Sequence, residues 1–454
     1  MRNAFKKAAA VLVGISTAVT MSACGAGGGS SSDENVPIAS GDDIKGDITM
    51  WSSFTQGPRA EWMDKKAAEF EKAHPGTNIT IEKFSWGEFN TKWTTGLTSG
   101  QVPDISTALP TQVVEMINAD ALTPIGDVID QLGRDRFFEP SLKEGEQDGK
   151  NFSIPIYSHA QVMWYRKDIL EENGLDVPET WDELNAAVDK IGSDGDNYAI
   201  SVPMGTNDFQ ATRFLNFYVR SKGETLLNDD GTANLTSPAA MEGIKYWTDM
   251  FKKASPQGSV NYNVLDQATL FYQGKTAFDF NSGFHISGVQ KNRPDLADKV
   301  AAAPLPVAAK GDKSNYPAEV TNAAMVVWRA SDNAGTAKAF LEFLYDDDEY
   351  IEFLHSVPGG MLPAMKDIND NPKYLDNETI EKYQDSVQVI ADQVAVGSAI
   401  GMENGPTVQA GILTSQGIIE RMMQSIVLDG ADPADAAKKA EDELNQQFKA
   451  AGVQ

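Results

Sequence analysis

Apolar positions recur along the chain in two alternating rhythms. Residues 48–51 and 78–84 read as strands, the second with Ile79 and Ile81 on one side. Between them Met63, Ala67 and Phe70 repeat at helical spacing until Pro75 and Gly76 stop the run. Trp86, Phe89, Trp93 and Leu97 mark a second helix ending at Gly100, residues 103–107 a third strand, and residues 113–117 part of a third helix. Strand and helix alternating at this interval predict a mostly parallel sheet covered on both faces. Ligands of such sheets sit beyond the carboxyl ends of the strands, here the segments 52–58 and 104–110.

The stretch 154–184 changes the rhythm. Two β-prone runs, 154–157 and 161–165, flank Ser158, His159 and Ala160, which reads as strand, hinge, strand. Asp168 is expected to cap a short helix that Asn173 and Gly174 close ahead of Pro178. Thr180 and Glu183 form a T-x-x-E capping box, and Leu184, Ala187, Val188 and Ile191 then line one helical face. Further on, residues 197–203 read as a strand, 204–208 as a loop, and Phe209, Phe214 and Phe217 belong to a helix. Ser237 and Pro238 open another helix, a strand runs through Phe280 into the loop 281–285, and residues 304–307 and 319–328 read as strands. The acidic run 346–349 reads as a solvated helix start, and the last third is helical over 408–428 and 434–449. No internal repeat is visible.

Length and charge narrow this picture. A chain of 454 residues suits two lobes of about 150 to 200 residues each. Its formal charge of −27, without a basic stripe, excludes nucleic acid as a partner and favours a neutral or cationic ligand over an anionic one. Arg2, Lys6 and Lys7 precede an apolar run too short to span a bilayer, so residues 1–23 are expected to be a signal peptide. Cys24, the single cysteine, has no partner for an internal disulfide. The Gly/Ser-rich and acidic stretch after it is expected to be a flexible tether to residue 45. The histidines at 74, 159, 285 and 355 are scattered, and the segment 194–197 reads as a polar turn, so neither metal nor cofactor is expected. No nucleophile elbow or phosphate loop is present. Paired carboxylates for glycoside hydrolysis remain open among 65 acidic residues.

Several of these segments together resemble one family. Met163-Trp164-Tyr165, Arg166-Lys167-Asp168, the Asn-Gly pair and Thr180-Trp181-Asp182-Glu183-Leu184 resemble the hinge region of extracellular solute-binding proteins that serve ABC importers of oligosaccharides, the group including maltose-binding protein. Phe271-Tyr272-Gln273-Gly274-Lys275-Thr276-Ala277 with its following loop, and the turn Gly360-Met361-Leu362-Pro363, resemble the same family. Met21-Ser22-Ala23-Cys24 resembles a bacterial lipoprotein signal, with Met21 where Leu is usual; this implies a lipidated Cys24 and an extracytoplasmic, membrane-anchored monomer. The resemblance implies an α/β, two-lobe periplasmic-binding-protein-like fold with hinge crossings. Lobe one would comprise 46–157 plus about 320–370, and lobe two 158–319 plus about 371–454. It also implies capture of a neutral carbohydrate, an oligosaccharide, by lobe closure and delivery to a membrane permease. A non-sugar solute, a tethered glycoside hydrolase and a polymer receptor without a permease are the alternatives.

A sugar presents apolar C–H faces rimmed by hydroxyls, so its cleft needs aromatic platforms and side chains with several hydrogen-bonding atoms. The loops offer Phe54, Tyr157, Phe209 and Phe284 as platforms, Phe284 at the family's stacking position by resemblance. Asp104, Asn207, Asp208, Asn281, His285, Glu319, Glu403 and Asn404 form the polar set.

Overall fold

The computed structural model describes residues 36–312 and 317–453. The expected signal peptide, Cys24 and the first part of the tether lie outside the described residues. In chain order the strands are β1 (Gly46–Ser52), β2 (Thr77–Lys83), β3 (Ile105–Ala108), β4 (Glu146–Gln147), β5 (Lys150–Asn151), β6 (Ile154–Ala160), β7 (Val162–Arg166), β8 (Tyr198–Ile200), β9 (Thr276–Asn281), β10 (Val300–Ala303) and β11 (Val320–Val327). They build one sheet of order β2-β1-β3-β11-β6, a second of order β10-β7-β9-β8, and the small hairpin β4-β5. Two core clusters form: one packs Met50, Ile105, Ile156, Met325 and Phe340 in lobe one and continues onto Trp164 and Val300 of the second sheet, the other packs Met163, Phe214, Trp247 and Phe280 in lobe two. Burial of such side chains stabilises by about 1.5–3 kcal/mol each.

Both sheets are mixed, which corrects the expectation of a mostly parallel sheet. β1 runs parallel to β2 and β3, but β11 is antiparallel to β3 and to β6, and β7 is antiparallel to β9 and β10. The cause is the passage between lobes. A strand that enters a sheet from the junction must run against one that leaves through it, and β11 and β7 are the entering strands. The carboxyl ends of β1, β3 and β6 therefore share an edge with the start of β11, and the carboxyl ends of β8, β9 and β10 share one with the start of β7. These two edges meet at the crossings and form a seam.

The break between β6 and β7 is Gln161 alone, not residues 158–160. Ser158 and His159 pair with Asn322 and Thr321 of β11, and that neighbour extends the strand. Three crossings bond to each other there: the Gln161 amide donates to the Glu319 carbonyl at 3.0 Å, and the Val320 amide to the Ser398 carbonyl at 3.1 Å. The expected strand at 304–307 is instead Val300–Ala303, since Pro304 and Pro306 have no N–H to continue a ladder. The helix expected over 408–428 is two, Val408–Ser415 and Ile418–Leu428, separated at Gly417 with φ 60°. Asp168 lies inside the helix Lys167–Glu172 and grips the Arg166 guanidinium with both oxygens at 2.7 Å instead of capping. The Thr180–Glu183 box and the Ser237 cap form as expected, and Asp432 caps the last helix, Pro433–Ala450.

The last part of the expected tether belongs to the folded body. Ile38 and Ile44 pack against the lobe-one core, and the Ala39 amide donates to the Gly335 carbonyl at 3.0 Å. Lys338 Nζ donates to the Val36 carbonyl at 2.7 Å, and Thr336 Oγ1 to the Lys45 carbonyl at 2.8 Å.

Candidate functional site

At the carboxyl end of β6 the His159 side chain reaches the seam. Its ring lies 5.8 Å edge-on from Phe284 and 6.3 Å from Tyr157. Its Nδ1 is sealed from water and has no partner among the described residues. Burial, reinforced by the positive charges of Arg213 and Arg59, pushes its pKa down to about 3, so the imidazole is neutral. Arg59 comes from the first turn of the helix Pro58–Ala73, directly after the loop that leaves β1. Its guanidinium lies 5.2 Å from the Phe54 ring centre and 5.9 Å from that of Phe284, and Nη1 donates to Tyr157 Oη at 3.4 Å. One lobe thus touches an aromatic ring of the other.

Phe284 is held by close backbone approach. It opens the helix Phe284–Asn292 after β9, and a Cβ on the preceding Gly283 would lie 1.9 Å from the Gly359 carbonyl oxygen. Only glycine fits there, and this packing seats the ring over the seam.

Lobe two contributes the helix Gln210–Ser221, in which Gln210 through Val219 are buried. Arg213 Nε donates to both oxygens of Glu319 at 2.8 and 2.9 Å, and the guanidinium lies 4.5 Å from the Phe209 ring centre. Seven residues on, Arg220 Nη1 donates to the Ala318 carbonyl at 2.6 Å, and its Nε lies 4.0 Å from Glu403. Asn216 lies between the two on the same helical face by its spacing. Its Oδ1 and Nδ2 are buried without a partner among the described residues, as are Gln161 Oε1 and Asn281 Nδ2. An amide atom buried without a partner costs about 1–3 kcal/mol, a cost that a hydrogen-bonding ligand at the seam would offset.

Of the residues singled out from sequence, Tyr157, Phe209, Asn281, Phe284 and Glu319 gather at the seam. Asp208 lies at its lobe-two side, where its carboxylate accepts from the Phe209 and Val264 amides, each at 2.8 Å. Asn207 beside it is exposed. Glu403 is half-buried, its carboxyl pushed up by burial against the opposing charge of Arg220, and Asn404 beside it is exposed, like Asn207. Three others do not fit a ligand role. Phe54 is fully buried against Phe353, 5.6 Å away, and forms the wall behind Arg59. Asp104 precedes β3, at the opposite edge of the sheet, and accepts from the Thr49 amide at 2.7 Å and from Ser331. His285 is a core residue, its Nε2 2.5 Å from Asp279 Oδ2 beneath Trp164 and Phe271. The sequence reading missed Arg59, Arg213, Arg220, Gln161 and Asn216. Arg213 and Arg220 carried a signal: two cations seven apart on a helix whose positions 214, 215, 217 and 219 are apolar.

A bilobal receptor whose strand ends converge on aromatic rings and unpartnered polar atoms is built to enclose a small solute. Residues 56–351 match the model of the bacterial extracellular solute-binding protein family, and the chain belongs to that family, whose members serve ABC importers. It is 27% identical over 403 residues to a binding protein of Brucella abortus (strain 2308), covering 87% of this chain and 93% of that one. It is 25% identical over 446 residues to the diacetylchitobiose binding protein of Streptomyces coelicolor, covering 95% and 96%. The fold is similar to that of a solute-binding protein from Agrobacterium radiobacter K84 in complex with ribitol, with a TM-score of 0.74, 22% identity, and 89% and 100% of the two chains covered. The chain is a binding protein and not an enzyme, which removes the hydrolase alternative. Among the described residues no helix is long and apolar enough to cross a membrane, and no three metal-ligating side chains gather.

Proposed function

We propose that the chain captures a carbohydrate, oligosaccharide in size, between its lobes and presents the closed form to a membrane permease. The observation that carries this reading is the set of buried, unpartnered polar atoms of His159, Gln161, Asn216 and Asn281 beside the rings of Phe209 and Phe284. Sugar hydroxyls would satisfy the first and sugar C–H faces would lie on the second. The diacetylchitobiose binder among the relatives supports a sugar as the solute. Closure follows because contacts from both lobes exist only in the closed state, and that difference in affinity shifts the open–closed equilibrium. In the same reading Cys24 is lipidated and holds the receptor beside its permease.

A thermal-shift screen of the full chain against mono- and oligosaccharides of different linkage tests the proposal. A ligand at a hundred times its Kd stabilises by about 2.7 kcal/mol, a rise of a few degrees in Tm. Phe284→Ala should remove that rise while leaving the unliganded Tm within a degree or two. A panel without any shift would remove carbohydrate as the solute.

A further inference from the structure

We propose that the ligand carries a carboxylate and that Arg59 receives it, which makes the substrate class an oligosaccharide containing uronic acid. This inference rests on the carbohydrate reading above and sharpens it.

The argument begins with pairing. The chain has 65 acidic against 38 basic side chains, and every described arginine other than Arg59 has a carboxylate within 4.0 Å. At the seam Arg213 faces Glu319 at 2.8 Å and Arg220 faces Glu403 at 4.0 Å. Arg59 has no such partner: no described carboxylate lies within ion-pair distance, and its one hydrogen bond is the 3.4 Å contact to Tyr157 Oη. The nearby acids are engaged elsewhere, Glu319 with Arg213 and Asp208 with two backbone amides.

Position sharpens the point. The half-buried guanidinium lies against Phe54 of lobe one and Phe284 of lobe two, so closure around a ligand desolvates it further. A guanidinium cannot shed its proton to escape that cost, whereas a carboxylate, planar and able to accept two parallel N–H bonds, removes it. A neutral ligand would leave an uncompensated cation in the closed seam. The whole-chain charge of −27 points the other way, but exposed charges are screened beyond about 8 Å at physiological salt. At contact distance the local sign prevails.

The test is calorimetric titration of the full chain with di- and trisaccharides of galacturonate, glucuronate and mannuronate. Each is compared with its carboxyl methyl ester, which keeps every hydroxyl, and with neutral malto-, cello-, galacto- and xylo-oligosaccharides. The expected result is binding of a uronate with its ester weaker by about 10- to 100-fold. Arg59→Gln should lose affinity to a similar degree with an unchanged unliganded Tm, and Arg59→Lys should retain part of it. Equal binding of acid and ester, or tighter binding of a neutral sugar with Arg59→Gln unaffected, overturns the carboxylate and leaves the carbohydrate reading standing. Failure of every sugar, charged and neutral, overturns both.

Discussion

Two buried titratable groups set opposite pH limits on this molecule. His159 is held neutral, with its pKa lowered from 6.5 to about 3, so the unfolded chain binds the proton more readily and stability falls as pH drops below about 6.5. With its partial exposure discounted, the loss by pH 5 is on the order of 1 kcal/mol. Glu144 behaves in the reverse sense. Its carboxylate accepts from Asn322 Nδ2 at 2.7 Å and from the Ala399 amide at 3.1 Å, and burial pushes its pKa from 4.5 up to about 7. The folded chain binds this proton more tightly, so its contribution is present below about pH 4.5 and declines as pH rises to about 7, by about 3 kcal/mol. Urea midpoints from pH 5 to 8.5 should show a flatter neutral limb in Glu144→Gln and a flatter acid limb in His159→Gln. Unchanged slopes in both would sink these assignments. Neither role was legible in the sequence, because a carboxylate or an imidazole discloses nothing about what its fold will pack around it. His159 was weighed there, but Glu144 was one acidic residue among 65.

The elements divide by whether their signals are local. Capping boxes and proline-first helices use residues three apart, and those of Thr180 and Ser237 were readable. Thr180→Ala should cost about 1 kcal/mol, measured as a lower urea midpoint with unchanged slope. Strand direction and the hinge position depend on partners more than a hundred residues away, as with Ser158 and Asn322, and were not readable. The Phe284 platform stands between these cases. The resemblance gave its place, but the reason for Gly283 is the Gly359 carbonyl, distant in sequence. Gly283→Ala should destabilise by about 1–3 kcal/mol and weaken ligand binding together, since the displaced loop carries the ring. A variant with wild-type Tm and affinity would show that the close approach does not position Phe284.

At the scale of the whole molecule, the two-lobe fold was legible from its alternating elements and family motifs, while the charge at its centre was not. A formal −27 describes the surface field, whereas the seam is set by three arginines, two of them matched by glutamates. Arg213 joins lobe two to the crossing that carries Glu319. Arg213→Met would leave that carboxylate buried and uncompensated, at a cost of about 3–5 kcal/mol. The double variant Arg213→Met with Glu319→Leu should recover much of that loss, as a double-mutant cycle of unfolding would record. Additive losses would show that the pair is not coupled.

The fastening of residues 36–45 to lobe one has a mechanical consequence. In the anchored form, tension would enter the described fold at Val36 and pass by way of Lys338, Gly335 and Thr336 into lobe one. None of that load path runs through Gln161, Glu319 or Ser398. In the lipid-anchored reading proposed above, a leash attached there would restrain where the receptor travels while leaving lobe two free to swing.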